Sequence, residues 1–299
     1  MSNLSVKIGE LELQNPVILA SGTCGVEIAQ FTNLSKIGAI ITKSITLEPR
    51  LGNLPPRTVE TCGGMLNSIG LENLGVREFI SYKLKEWLEL GIPVIASVAG
   101  KTQDEYLEVI KMLEPTNISG FEINISCPNV EGVEFCKYPN IVKELTYAIK
   151  GVTSKAVIVK LSPNVSNIQA VAIAAEQGGA DAISLINTIY GLKVDVESRN
   201  SMLGGVTGGL SGPCIKPVAL YYVYKVSQVC KIPIIGMGGI MSTCDALEFI
   251  IVGATAIEIG TSTFVNPNTA AEIVVGIEDY CMQHKIDSIQ KLIGTRKFS

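Results

Sequence analysis

Eight short runs rich in Val and Ile recur along the chain, separated by stretches of helical periodicity. The runs are 15–22 (NPVILASG), 39–44 (AIITKS), 93–100 (PVIASVAG) and 120–128 (GFEINISCP), then 156–163 (AVIVKLSP), 182–188 (AISLINT), 232–239 (IPIIGMGG) and 256–263 (AIEIGTST). Continuous apolar strands are buried on both faces, which requires a parallel sheet sheathed by helices. Helical periodicity fills 76–90, 102–113, 139–152, 167–178, 216–230, 243–253 and 269–284. Strand and helix alternating to a count of eight within 299 residues predict an α/β fold, the (β/α)8 TIM barrel. A doubly wound sheet is the main competitor. It would need a Gly-x-Gly-x-x-Gly turn after the first strand, and Ser21-Gly22-Thr23-Cys24-Gly25 does not fit.

Ahead of the first run, residues 4–8 and 10–13 alternate around Gly9, which predicts an N-terminal β-hairpin closing the barrel bottom. No linker or low-complexity stretch divides the chain, so residues 1–299 are expected to form a single domain. Two connections are too long for simple β/α loops: from Ser44 towards Val76, and from Thr188 to Pro213. Long loops in a compact domain are usually functional, and both leave strand C-terminal ends, where barrels build active sites.

Composition removes several classes of function. A net charge of −4 offers no basic surface for nucleic acid. No run of about 18 apolar residues exists to span a membrane. The start, Met1 to Lys7, lacks the basic-then-apolar order of a signal peptide, so a cytoplasmic location is expected. The eight cysteines (Cys24, Cys62, Cys127, Cys136, Cys214, Cys230, Cys244 and Cys281) are scattered with no C-x-x-C pair. That spacing disfavours an iron–sulfur cluster, a structural zinc or a disulfide framework in this chain. The single histidine, His284, sits in a polar C-terminal segment, which leaves little for a Ser-His-Asp triad or a His-ligated metal. No metal is expected. Chemistry here falls to a cofactor or a cysteine.

Polar residues collect at the strand ends. Ser21 ends the first run, Lys43-Ser44 the second, Asn124 and Cys127 the fourth, Lys160 the fifth and Asn187-Thr188 the sixth. Cys127, between carboxamides and before Pro128, can accept a proton while Asn124 and Asn129 grip a planar polar ligand. Taken alone, a cysteine is more often a small buried hydrophobe. Lys43 and Lys160 each follow a Val/Ile run, so each amine is expected near barrel depth, facing an anion or ligand. Pairing with an internal carboxylate is the alternative for either. Gly236-Met237-Gly238-Gly239, Gly260-Thr261-Ser262 and the loop 204–212 can bring backbone N–H groups close to phosphate oxygens. A phosphate cradle, inward lysines and a flanked cysteine without a metal suit a flavin.

At these motifs the chain resembles the class 1 dihydroorotate dehydrogenases over nearly its whole length. The resemblance rests on Lys43-Ser44, Asn67-Ser68-Ile69-Gly70-Leu71, Asn124-Ile125-Ser126-Cys127-Pro128-Asn129, Lys160-Leu161-Ser162-Pro163 and Ile186-Asn187-Thr188. It extends through Gly208-Gly209-Leu210-Ser211-Gly212-Pro213, Gly236-Met237-Gly238-Gly239-Ile240 and Glu258-Ile259-Gly260-Thr261. The likeness is greatest to the NAD-linked class 1B catalytic subunit, and it sets the chain apart from class 2 enzymes, which carry a serine base and a membrane segment.

The resemblance implies oxidation of (S)-dihydroorotate to orotate, with Cys127 removing the C5 proton and a C6 hydride passing to FMN. It implies FMN contacts from Ser21, Lys43, Ser44, Asn124, Lys160, Ile186, Gly212, Gly238, Gly239, Gly260 and Thr261. It places substrate against Lys43, Asn67, Ser68, Ile69, Gly70, Leu71, Asn124, Asn129, Asn187 and Thr188. Electrons would leave through a partner subunit carrying FAD and a 2Fe–2S cluster, in a heterotetramer of two catalytic and two partner chains, ending on NAD+.

One position departs from the family pattern: Ser97 stands where asparagine commonly precedes Val-Ala-Gly, and a hydroxyl has less reach and fewer hydrogen bonds than an amide. Two other readings stay open among enzymes, a fumarate-linked class 1A enzyme and a dihydropyrimidine dehydrogenase-like subunit, which tends to carry histidine where Asn129 stands. A non-catalytic phosphate-binding barrel explains the glycines but not Cys127 with the two lysines.

Overall fold

The structure is a computed structural model that describes residues 2–125 and 135–298. A hairpin comes first, β1 (Val6–Ile8) against β2 (Leu11–Leu13), antiparallel with Val6 opposite Leu13. Gly9 turns it at φ +57°, and a Cβ there would meet the Asp181 side chain at 2.8 Å. Asp181 directly precedes a barrel strand, so the hairpin lies at the N-terminal, bottom end of the barrel, as the alternation around Gly9 predicts.

The barrel strands are β3 (Val17–Leu19), β4 (Ala39–Ile41), β7 (Val94–Val98), β8 (Gly120–Asn124), β9 (Ala156–Lys160), β10 (Ala182–Leu185), β13 (Ile234–Met237) and β14 (Ala256–Ile259). They pair in parallel in chain order and close when β14 pairs with β3. Each lies inside one of the eight Val/Ile runs but is shorter, because the described residues that follow each strand in its run belong to loops at the barrel mouth. The last part of the fourth run, 126–128, lies outside the described residues.

Helices follow the expected periodicity, and their starts carry the expected caps. Thr102, Asn167 and Ser242 accept hydrogen bonds from the N–H groups of Glu105, Ala170 and Asp245, satisfying donors that a first helical turn leaves open. One element departs from the periodic reading. The helix predicted over 76–90 contains a π-type turn at Phe79–Lys83 between α-helical pieces Gly75–Glu78 and Leu84–Leu88. After β3, where the periodicity predicts no helix, the chain returns through 3-10 turns at Val26–Gln30 and Leu34–Lys36, a stretch broken by Gly, Thr and Asn. No helix among the described residues is long and apolar enough to cross a membrane.

The two long connections form structure together. The first carries β5 (Thr58–Thr61) and β6 (Gly64–Asn67); the second carries β11 (Ile189–Gly191) and β12 (Gly208–Ser211). They join as one antiparallel sheet in the order β11-β12-β6-β5, with Gly209 opposite Asn67 and Ser211 opposite Met65. Segments over a hundred residues apart therefore stand as one rigid wall above the barrel mouth.

Along β8 the side chains alternate, Glu122 and Asn124 into the barrel, Phe121 and Ile123 out towards the helices. Phe121 is completely buried. Replacing it by alanine is expected to cost about 3–5 kcal/mol through lost apolar burial and the cavity left behind. Denaturant unfolding would read this as a lower midpoint with an unchanged slope.

Candidate active site

Inward-facing positions on the barrel strands are polar at one level. Glu122 (β8), Lys160 (β9), Ser184 (β10) and Glu258 (β14) are each at most 6% exposed. The Lys160 ammonium donates to Glu122 Oε1 at 3.2 Å and Oε2 at 3.3 Å, and to Glu258 Oε2 at 3.2 Å. Ser184 Oγ donates to Glu122 Oε2 at 3.1 Å. This cluster forms the floor of a cleft that opens at the strand C-terminal ends, with Lys160 and Glu258 in its lining.

The floor holds two acids and one base. Burial alone works against the charged Lys160, but the attraction of Glu122 and Glu258 outweighs it and holds the amine above its ordinary range. Burial, reinforced by the neighbouring Glu122 carboxylate, pushes the Glu258 carboxyl well above the usual carboxylate range despite Lys160. Both alternatives for a lysine at barrel depth thus hold at once for Lys160, which is ion-paired and still faces the cleft. Lys43 is different. Its side chain is 46% exposed at the rim, 3.8 Å from Glu72, so the expectation that it sits at barrel depth is corrected. A run of three apolar residues, Ala39–Ile41, ends before Lys43 and leaves it beyond the buried part of the strand.

A chain of hydrogen bonds orders one wall. Asn187 Nδ2 donates to Asn124 Oδ1 at 3.5 Å, and Asn124 Nδ2 donates to Ser44 Oγ at 3.3 Å. Ser44 Oγ lies 2.9 Å from Ser97 Oγ, and Tyr106 Oη donates to the Asn124 carbonyl at 2.9 Å. These bonds turn the Asn124 amide one way round and hold it there. Ser97 is fully buried behind Ser44, so its hydroxyl supports a lining residue from behind. Above, Asn67 Nδ2 donates to the Gly209 carbonyl at 3.3 Å across the mouth sheet, and Thr188 N–H donates to Asn187 Oδ1 at 2.7 Å. Any side chain at Gly209 would collide with Thr188 Oγ1.

The opposite end is rich in glycine. Gly212, Gly238 and Gly239 take φ of +103°, +121° and +76°, a region glycine enters without strain. A Cβ at Gly212 would lie 2.7 Å from Gly64 Cα, and one at Gly239 would lie 2.8 Å from the Gly212 carbonyl oxygen. Close beside them, Thr261 Oγ1 donates to Ser211 Oγ at 2.8 Å, while the buried Ser262 Oγ has no partner. Backbone this bare, with an orphaned hydroxyl, fits a phosphate group. The polar floor and amide wall fit a planar ring with donors and acceptors on its edge. The cleft is open at its mouth and runs from the glycine-rich end past the polar floor to the amide wall.

Ser21, Lys43, Ser44, Asn124, Lys160, Ile186, Gly212, Gly238, Gly239, Gly260 and Thr261 all line this cleft, as do Asn67, Ile69, Gly70, Leu71, Asn187 and Thr188. Ser68 does not: it is buried behind the wall, its N–H donating to the Arg57 carbonyl at 2.7 Å and its Oγ accepting from Asn53 Nδ2 at 2.9 Å. Alternation along the chain turns it away from the face that Asn67 and Ile69 present. Cys127 and Asn129 lie outside the described residues. No described cysteine lines the cleft, and Cys24, next to lining residue Thr23, has its thiol pushed up to about 12 by burial and by Glu27. Among the described residues no group of His, Cys, Asp and Glu could hold a metal ion.

Sequence reasoning passed over Glu122 and Glu258 as members of the floor. The signal was present, since a carboxylate inside each of GFEIN and AIEIG is a charge in a strand buried on both faces.

The sequence profile of the family described as dihydroorotate dehydrogenase matches residues 3–281. The chain is 48% identical over 300 residues to the dihydroorotate dehydrogenase B (NAD(+)) catalytic subunit of Geotalea daltonii, covering 99% of this chain and 98% of that one. Against the same-named subunit of Trichlorobacter lovleyi it is 49% identical over 296 residues, 97% of each chain. Among solved structures, DHODH from Eimeria tenella in complex with ferulenol superposes with a TM-score of 0.81 at 24% identity, covering 98% of this chain and 88% of that one. That likeness bears on the fold alone.

Lys160→Met is expected to leave two buried carboxyls without their counter-charge and to destabilise the protein by about 3–5 kcal/mol. The deficit should shrink as pH falls into the carboxylate range, because protonated carboxyls no longer need the ammonium. Unfolding curves of the variant and the parent at several pH values would show this.

Proposed function

The chain belongs to the dihydroorotate dehydrogenase family of FMN-dependent oxidoreductases, and from that membership we propose that it is the catalytic subunit of a B-type, NAD+-linked enzyme. It oxidises (S)-dihydroorotate to orotate in pyrimidine biosynthesis. The observation that carries this reading is the convergence on one cleft of every described residue assigned to flavin or substrate except Ser68.

FMN, when bound, supplies the two-electron acceptor. Gly212, Gly238, Gly239, Gly260 and Thr261 hold its phosphate end, and Ser21, Ser44, Asn124, Lys160 and Ile186 hold its ring and chain. Lys43, at the rim, reaches flavin and substrate carboxylate with its ammonium. Asn67, Asn124, Asn187 and Thr188 present donors and acceptors to the edges of the dihydropyrimidine, with Ile69, Gly70 and Leu71 closing over it and Asn129 adding an amide. Cys127 takes the C5 proton.

Electrons leave through a partner chain with FAD and a 2Fe–2S cluster. Two catalytic and two such chains form the working enzyme in the cytoplasm. The name of the relatives, a catalytic subunit, supports the need for a second protein.

Cys127→Ala is expected to abolish reduction of bound FMN by dihydroorotate, followed as bleaching of the flavin absorbance, while FMN stays bound; an unchanged rate removes Cys127 from the mechanism. A free thiol ionises near pH 8.5, so the parental rate should climb with pH through that range. Steady-state oxidation of dihydroorotate by the isolated chain should fail with NAD+ until a partner protein is added. Brisk turnover with fumarate would instead assign the chain to the class 1A enzymes.

A further inference from the structure

One floor residue has an oxygen to which no N–H or ionised group donates. Glu258 is 1% exposed; its Oε2 accepts from Lys160, and its Oε1 is enclosed with no donor beside it. The Glu258 carboxyl lies within hydrogen-bond reach of the Glu122 carboxyl, and two carboxyls bond to each other only when one of them carries a proton. Charge gives a second, independent constraint. Lys160 carries one positive charge between two carboxyls it touches at 3.2–3.3 Å. Glu122 takes two of those contacts and the Ser184 hydroxyl as well. With both acids ionised, a dry floor would hold an uncompensated negative charge, as in carboxyl pairs that share one proton.

No further charge from the flanking elements relieves it. On β13, Met237 stands opposite Glu258, and on β3, Ile18 does. Asp245 and Glu248, on the helix packed outside β14, are held by Lys216 at 2.6 and 3.0 Å. Lys43 is at the rim with Glu72.

We propose that Glu258 is a positioning residue kept as a neutral carboxylic acid: it shares its proton with Glu122, and the two together fix Lys160 in a floor of zero net charge beneath the bound flavin ring. This rests on the reading of the cleft as an FMN site. A neutral floor leaves the ring free to gain negative charge on reduction, whereas an ionised Glu258 would oppose it.

The test compares the FMN-loaded parent with Glu258→Gln and Glu258→Leu. Glutamine copies a neutral acid in shape and charge. Native protein that keeps a proton which the unfolded chain has lost becomes less stable as pH rises. The folding constant of Glu258→Gln should therefore gain on the parent by about tenfold per pH unit, from the unfolded carboxylate range upward until Glu258 ionises. A ratio independent of pH overturns the neutral acid. Redox difference infrared spectra should show a carboxylic acid C=O band that responds to flavin reduction and is missing in Glu258→Gln. A band that ignores reduction separates Glu258 from the ring. FMN affinity should be nearly unchanged in Glu258→Gln and about tenfold weaker in Glu258→Leu, which leaves Lys160 held by Glu122 alone; equal affinity in both overturns the positioning of Lys160 by Glu258. If Glu258→Leu does not fold, the glutamine variant and the infrared band still decide. If dihydroorotate fails to reduce a flavin that binds and gives these signatures, the substrate assignment falls and the role of Glu258 stands.

Discussion

Lys160 meets Glu122 and Glu258 inside the barrel, where water cannot share the work of solvating them. Parallel strands with apolar outer faces make such a place, and only mutual pairing makes it tolerable for three ionisable groups. The cluster ties β8, β9, β10 and β14 together across the interior, since Ser184 joins it from β10. It also ends the apolar core and begins the cleft. Everything above it, the amide wall and the glycine-rich end, is arranged around a floor whose charge is fixed by these contacts.

Rigidity reaches the mouth by a different route. The two long connections would be loose alone, but β5, β6, β11 and β12 hydrogen-bond into one sheet. Asn67 and Thr188 gain fixed positions because Gly209, opposite Asn67, has no side chain to push Thr188 away. The cleft is thus lined partly by the small mouth sheet and partly by the barrel's own strand ends.

The Ser97 departure is resolved by packing. A hydroxyl here cannot reach as far as an amide, yet it stands 2.9 Å from Ser44 Oγ and so holds a cleft residue in place. Position 97 contributes through Ser44 and, beyond it, through the Asn124 amide.

Much of this was legible in the chain itself. Eight Val/Ile runs determine a parallel barrel because period and burial are local properties, and Gly9 with its alternating flanks determines the hairpin. Motif residues at strand ends marked the cleft, since strand direction alone sends them to one face. Other features were decided only by the tertiary structure. That β6 pairs with β12 depends on contacts between segments more than a hundred residues apart. That Lys43 is a rim residue and Lys160 a floor residue depends on where each strand leaves the barrel, although both follow similar apolar runs. The joining of Glu122, Lys160 and Glu258 depends on barrel closure, which brings side chains from distant strands into one dry interior. No local pattern encodes that meeting, because its energy exists only once water has been excluded.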